Sequence, residues 1–204
     1  KRVPGADRLK PEVLEVSADE LKKYKDKKGA TLVDGRVVDP FDANRSWSVE
    51  AMRGADGLRR WTNDDVVPRP DDVFQERLYC IRWAKTVTRD GRPKLVRRYA
   101  APDAADLGRE ARVIVLLGER FTNWQREGFI PSKAIPEGGD KTDEPIRTRG
   151  WTHWHHLFTP RQLLMLGAVW QSVPSQLSRV ASVAGALAVW RATDRLSRLC
   201  CLDP

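Results

Sequence analysis

The chain has 204 residues and a formal net charge of +8, a length that suits one domain or one large domain with an arm. Hydrophobic residues make up 41% of it and charged residues 31%, which excludes a disordered tail and a fibre. No apolar run reaches the roughly 18 residues of a membrane span, no signal peptide is visible, and three cysteines exclude a disulfide scaffold. We therefore expect a reduced, cytoplasmic protein with no membrane partner. Because the chain does not begin with Met, we also expect it to be part of a longer protein.

The positive charge is concentrated in two segments. Residues 77–100 contain eight Lys or Arg and one acid, residues 145–204 contain seven Arg and two acids, and the rest is slightly acidic. This distribution is typical of a surface that faces a polyanion, although a solvated arginine-rich face has the same composition. It favours contact with nucleic acid.

Residues 1–72 predict a loop-rich N-terminal arm with a short hairpin. Ser17 to Glu20 resembles a capping box that opens a short helix. Asp34-Gly35, between two β-favouring triplets, predicts a hairpin with a type I′ turn. Residues 40–72 are rich in Asp, Arg, Pro and Gly, so we expect long surface loops with one short helix near residues 49–52.

Residues 73–204 predict a β-hairpin followed by a helical domain. Residues 76–87 alternate as a strand with apolar groups on both faces, which indicates partial burial. Asp90-Gly91 predicts a turn, and residues 95–100 return as the second strand. This ribbon contains most of the basic residues of the first charged segment.

Three helices are predicted after the ribbon. Residues 103–127 form one long helix, with a core stripe of apolar residues at three- and four-residue spacing. Residues 128–150 contain Pro and Gly and predict a loop. Thr159, with Pro160 and Gln162, predicts a capped helix to about residue 173, and another helix follows over residues 175–200. The fold class is therefore α+β, with small antiparallel ribbons, a long helix and a C-terminal helical pair.

The three histidines lie together at His153, His155 and His156. A zinc site needs three or four ligands that converge from one side, and no close Cys or acid completes this set. Packing and hydrogen bonding at a helix junction is the favoured interpretation, and contact with nucleic acid is the alternative. We predict no metal ligands in the chain.

Six residues are candidates for nucleic-acid contact. Cations on the ribbon can neutralise phosphates of a nucleic acid. Loop tryptophans beside basic residues can stack on unpaired bases, although such tryptophans can also pack in the core. Arginines near the N-terminus of the Thr159 helix can bind an anion together with the free helix amides, although they can also be ordinary surface residues. The candidates are Arg82, Lys85, Arg97, Arg149, Trp154 and Arg161.

No complete active site is visible in the sequence. It contains no GxGxxG, P-loop or GxSxG motif, and no Asp/Asn-Pro-Pro-Tyr/Phe loop of the kind that holds a flipped base. Asp39-Pro40-Phe41 is followed by Asp42 instead of the glycines that let a cofactor approach the backbone. We therefore predict no catalytic and no cofactor-binding residue in this chain.

Several stretches in residues 45–204 resemble large prokaryotic adenine-specific DNA methylases. These proteins carry a zinc ribbon and an N-terminal domain of unknown function, and several neighbour anti-phage defence genes. The stretch Leu157-Phe158-Thr159-Pro160-Arg161-Gln162-Leu163 is the most specific. The others are residues 74–83, 98–107, 143–147 and 194–200.

The resemblance implies that the chain is an internal segment of a larger methyltransferase. The full-length protein would methylate adenine N6 in DNA with S-adenosylmethionine, and this segment would contribute DNA-contacting and structural elements. Its implied partners are DNA, the rest of the methyltransferase and other defence-system proteins. The alternative is a non-enzymatic nucleic-acid-binding or scaffold module of a defence complex. In either case we expect no cofactor on this chain alone.

Overall fold

The described residues form two compact units, each built from two segments. The first unit is Lys1–Trp47 with Arg77–Arg109, and the second is Ser48–Glu76 with Glu110–Pro204. The predicted boundary after residue 72 falls inside a segment of the second unit, and its role as a domain boundary stays a prediction. The computed structural model describes residues 13, 19–20, 32–39, 42–54, 58–173 and 179–196.

Two small antiparallel sheets and several helices confirm the predicted α+β class. The strands are β1 Leu32–Val33, β2 Arg36–Asp39, β3 Asp42–Ser48, β4 Ile81–Arg89 and β5 Arg92–Ala100. The α-helices are α1 Val49–Arg53, α2 Ala104–Gly118, α3 Phe121–Arg126, α4 Asp140–Arg149, α5 Pro160–Ser172 and α6 Arg179–Leu196, and a 3₁₀ helix spans Trp154–Leu157.

The N-terminal sheet contains three strands in the order β1-β2-β3. Asp34 and Gly35 both have positive φ, 47° and 72°, so the predicted hairpin and its type I′ turn are confirmed. The predicted capping box at Ser17 lies outside the described residues, although Asp19 is helical.

Strand β3 and helix α1 occupy part of the predicted loop region. The helix was expected, and the strand was not, because its sequence of Asp, Asn, Arg and Ser has low strand propensity. Its neighbour β2 supports it, since the Arg36 guanidinium donates to the Ser46 hydroxyl at 2.9 Å and to the Ser46 carbonyl at 3.3 Å. Here tertiary pairing overrides local propensity.

The predicted long helix is broken near Gly118. Helix α2 ends there and α3 begins at Phe121. Glycine is a poor helix former, and the Arg120 side chain donates to the Leu116 carbonyl at 2.9 Å, which satisfies a carbonyl at the end of α2. The predicted core stripe is largely confirmed, since Leu117 and Trp124 are buried on either side of the break.

Helix α4 lies in the segment predicted as a loop. Pro145 inside it argued against a helix, but the helix has acidic residues in its first turn and arginines in its last, which suits the helix dipole. Gly150 ends it in the left-handed conformation, with φ of 74°. These terminal signals outweigh the proline.

Helices α5 and α6 pack against each other and confirm the predicted C-terminal pair. Thr159 and Gln162 form the predicted capping box, with the Thr159 amide donating to the Gln162 side chain at 2.7 Å. The predicted end of the last helix, beyond residue 196, lies outside the described residues. None of the described helices has both the length and the apolar character needed to cross a bilayer.

The second unit contains the main hydrophobic core. Leu117 and Leu163 are completely buried, and Gly167 on α5 lies directly against the Trp124 ring. Trp61 and Trp151, two of the loop tryptophans, belong to this core, so for them the packing interpretation is confirmed. The cluster comprises Trp61, Leu117, Phe121, Trp124, Ile130, Trp151, Leu157, Phe158, Leu163, Leu166 and Val189.

A buried charge network fixes the loop that carries Trp61. Arg59 donates to Asp65 and to both carboxylate oxygens of Asp72, at 2.7 to 2.8 Å. Burial raises the pKa of Asp65, but hydrogen bonds from Arg59, Thr62 and Arg69 outweigh burial and hold this pKa well below its usual range. The loop is therefore an ordered part of the unit rather than a surface loop.

Candidate nucleic-acid interface

The hairpin of β4 and β5 is the candidate interface. Asp90 and Gly91 at its tip have φ of 53° and 73°, which is the geometry of a two-residue turn that joins twisted antiparallel strands. The strands pair without a break from Ile81 opposite Ala100 to Arg89 opposite Arg92. Nine residues per strand give a ribbon about 30 Å long.

The register divides the basic residues unequally between the two faces of the ribbon. Directly opposed residues in an antiparallel pair share a face, and the observed pairs include Trp83 with Arg98 and Val87 with Lys94. One face, called here the five-cation face, contains Lys85, Arg89, Arg92, Lys94 and Arg98. The opposite face, the two-cation face, contains Arg82 and Arg97.

The ribbon is open to solvent on both sides, which corrects the prediction of partial burial. All seven cations are exposed, and so are Trp83, Leu95 and Tyr99, at 46%, 50% and 47% of their full area. The apolar residues that suggested burial lie on the faces of a two-stranded sheet, and they remain exposed there. The hairpin is an exposed arm rather than a core element.

The ribbon cations are electrostatically uncompensated. Within the part of the chain that the structure describes, the seven side chains make no hydrogen bond and no ion pair, and the single acid of the ribbon is Asp90 at the tip. Several arginines outside the ribbon have a carboxylate partner, as Arg59 and Arg69 do. Unpaired cations on an exposed face are available to an external anion.

The structure separates the three ribbon candidates. Lys85 lies on the five-cation face, whereas Arg82 and Arg97 lie on the other face. Adjacent residues of a strand point to opposite sides, so Arg97 and its neighbour Arg98 lie on different faces. Four cations of the richer face, Arg89, Arg92, Lys94 and Arg98, were not chosen as candidates, although strand alternation combined with the Asp-Gly turn contains enough information to find them.

The other three candidates lie in the second unit at separate positions. Arg149 places its guanidinium over the Phe74 ring, at 5.2 Å from the ring centroid. Trp154 is 37% exposed, and its amide donates to the Lys133 carbonyl at 3.1 Å. The Arg161 guanidinium donates to the Glu110 carboxylate at 2.8 Å. A carboxylate of the protein therefore already binds the arginine that was predicted to bind an external anion.

The three histidines form a packed and hydrogen-bonded cluster at the 3₁₀ helix. The His156 Nδ1 accepts from the amides of Thr152 and His153, at 3.1 and 3.2 Å, and its Nε2 lies 3.1 Å from the Thr62 carbonyl. His155 is fully buried and lies edge-on to Phe121. Among the described residues, no three His, Cys, Asp or Glu side chains are placed to hold a metal ion.

Burial keeps this cluster uncharged. Desolvation, reinforced by the neighbouring histidines, lowers the pKa of His155 to about 4 and that of His156 to about 3. In an unfolded chain both groups would titrate near pH 6.5. The stability that their neutral forms provide is therefore complete above pH 6.5 and is lost as the pH falls toward 4.

We expect the free energy of unfolding to fall between pH 6.5 and 5, above the range in which ordinary carboxyl groups titrate. Each of the two histidines contributes a slope of about 1.4 kcal/mol per pH unit. Urea unfolding at several pH values measures the slope. His155→Leu, which removes one of these two buried titrating groups, is expected to reduce the slope by about half. An unchanged slope in this variant would contradict the assignment.

No family model, no curated protein and no solved structure matches the chain.

Proposed function

We propose that the chain binds double-stranded DNA through the five-cation face of its hairpin. The observation that carries this proposal is the presence of five exposed, unpaired cations on one side of a two-stranded ribbon. Duplex DNA carries one negative charge per about 1.7 Å of its axis, and Lys or Arg side chains that neutralise phosphates release condensed counterions. The face suits a partner that presents charge as a regular linear array.

The arrangement supports backbone contact rather than base readout. The distance from Arg92 to Arg98 along one strand is about 20 Å, so the face can follow several consecutive phosphates. Contacts to phosphate oxygens position a protein on DNA and carry no sequence information. We therefore expect the affinity to be similar for duplexes of different sequence.

The wider role that we propose rests on the resemblance to adenine-specific DNA methylases. In this proposal the chain is a DNA-contacting and structural segment of a cytoplasmic, S-adenosylmethionine-dependent adenine N6-methyltransferase that acts in anti-phage defence or restriction-modification. The hairpin would hold DNA while catalytic loops outside residues 1–204 perform the reaction. The sequence supports this division, since it contains neither a glycine-rich cofactor loop nor a Pro-Pro-Tyr loop.

A non-enzymatic module of a defence complex is the second candidate function. The absence of both loop motifs from the sequence agrees with this candidate as well as with the first. This candidate shares the DNA-binding hairpin, and in its scaffold form the five-cation face would instead bind an acidic protein surface. The nucleic-acid-binding form of this candidate should bind duplex DNA, and the scaffold form should not.

A salt titration tests DNA binding by the chain. Anisotropy measurements with two fluorescent duplexes of unrelated sequence should give similar affinities, and the logarithm of affinity should fall with the logarithm of salt concentration with a slope of about −4.5 for five neutralised phosphates. Failure to bind either duplex at low salt would overturn the proposal.

In a separate assay, we expect no transfer of radiolabelled methyl groups to DNA by this chain alone.

A further inference from the structure

A second group of arginines surrounds a cleft in the second unit. The cleft has a volume of about 580 Å³ and lies between the end of α1, residues 137–138 and helix α4. Its charged lining residues are Arg53, Arg60, Glu137, Asp143 and Arg147. Some of these charges already have a hydrogen-bond partner within the protein.

Both carboxylates of the cleft are engaged by the protein itself. Glu137 accepts from the Arg60 guanidinium at 2.7 Å, and Asp143 accepts from the Gly138 amide at 2.8 Å. In contrast, Arg53 and Arg147 make no hydrogen bond and no ion pair with the described residues. Arg60 and Glu137 neutralise each other, so Arg53, Arg147 and the still charged Asp143 leave the lining with a net charge of +1 and with two guanidinium groups that lack a partner among the described residues.

The guanidinium of Arg53 is incompletely satisfied. Its Nε is buried, has no hydrogen-bond acceptor among the described residues and is out of reach of a ligand in the cleft, so only its terminal Nη groups can meet one. Its guanidinium lies over the Phe74 ring, with Cζ at 5.9 Å from the centroid. The Arg149 guanidinium lies over the same ring at 5.2 Å. Two like charges share one ring, and the described residues place no carboxylate in an ion pair with either.

The helix dipole offsets only part of this charge. Arg147 and Arg149 belong to the last turn of α4, and Arg53 belongs to the last turn of α1. The partial negative charge of a helix end favours cations there, which explains why the three arginines are tolerated. The described residues still supply no hydrogen-bond acceptor for the guanidinium of Arg53.

We propose that this cleft binds a phosphate-class oxyanion between Arg53 and Arg147. A tetrahedral oxyanion has several acceptors for the forked donors of two guanidinium groups, and such charge-assisted bonds are the strong ones. Stacking on Phe74 leaves the terminal Nη groups of Arg53 free for this role. The ligand is either a phosphodiester of bound nucleic acid or free phosphate. The proposed site uses no residue of the hairpin, and the proposal does not depend on DNA binding there.

Calorimetry with inorganic phosphate as the probe tests the site. At constant ionic strength, we expect saturable binding to the wild-type chain and a Kd raised about tenfold or more in Arg147→Gln, which loses one charge-assisted contact. Arg147 is exposed, so this variant should keep the fold. Arg112→Gln is the matched control, because Arg112 is also exposed and helical but does not line the cleft. A second variant, Arg53→Lys, keeps the charge and removes the fork, and should also weaken binding.

Competition with duplex DNA identifies the source of the phosphate. If the source is nucleic acid, Arg147→Gln weakens duplex binding and phosphate competes with the duplex. If it is free phosphate, duplex affinity is unchanged. Variants of the five-cation face should retain phosphate binding, so failure of the hairpin to bind DNA is distinguishable from failure of this site. The inference is overturned if wild-type protein binds no phosphate, or if Arg147→Gln binds it as wild type does.

Discussion

Replacing Lys94 and Arg98 with glutamine is expected to weaken duplex binding about 30-fold at physiological salt. Both residues lie on the five-cation face, and each phosphate contact contributes about 0.9 to the salt slope, so the slope should become shallower by nearly two units. The loss should be similar for duplexes of different sequence, because phosphate contacts carry no base information. Anisotropy titrations over a range of salt concentrations measure the affinity and the slope together.

The two-cation face supplies the matched control for this experiment. Arg82→Gln with Arg97→Gln removes the same charge from the same hairpin, but on the side that points away from the bound backbone. We expect this pair to leave the slope almost unchanged, with only a small long-range electrostatic loss. Equal losses from the two double variants would show that the ribbon acts through its net charge, and the assignment of one binding face would be wrong.

Replacing Gly150 with alanine is expected to destabilise the second unit by about 3 kcal/mol or more. Gly150 has φ of 74°, and an added Cβ would lie 2.0 Å from the Arg59 carbonyl oxygen. The Gly150 carbonyl also accepts from the Trp61 amide at 2.8 Å. Relief of the clash must therefore move the segment that places Trp61 in the core. Urea or thermal unfolding measures the loss.

Gly108→Ala is the control for the glycine substitution. Gly108 lies within α2, and an added Cβ would meet no atom within 4 Å. We expect this change to stabilise the protein by about 0.5–1 kcal/mol, since alanine loses less backbone entropy in a helix. If Gly150→Ala unfolds at the same temperature as wild type, the close contact between the Gly150 backbone and the Arg59 carbonyl does not constrain the fold.

Local sequence signals predicted the elements whose structure depends on a few adjacent residues. Asp34-Gly35 and Asp90-Gly91 each specify a two-residue turn, because both positions need positive φ. Thr159 and Gln162 specify the start of α5 in the same local way. The register of β4 and β5 follows from the second turn, so the five-cation face was accessible in principle from the sequence.

Elements and contacts that depend on distant partners could not be predicted in this way. Strand β3 forms beside β2 despite its polar sequence, and α4 forms although it contains Pro145. The pairing state of each arginine is a tertiary property as well. Nothing local distinguishes Arg161, which pairs with Glu110, from Arg147, which has no carboxylate partner among the described residues.

The register also places Arg89 directly opposite Arg92, beside the turn. Like charges in directly opposed positions destabilise a ribbon, and two isolated strands are at best marginally stable in water. A polyanion bound along this face would remove the repulsion, so the proposed DNA binding implies that DNA affinity and hairpin order are thermodynamically linked. Amide hydrogens near the tip should consequently exchange quickly in the free protein and slowly in the complex. The arm would then gain its rigidity from its ligand, and the free energy of stiffening would reduce the affinity that its contacts alone could provide.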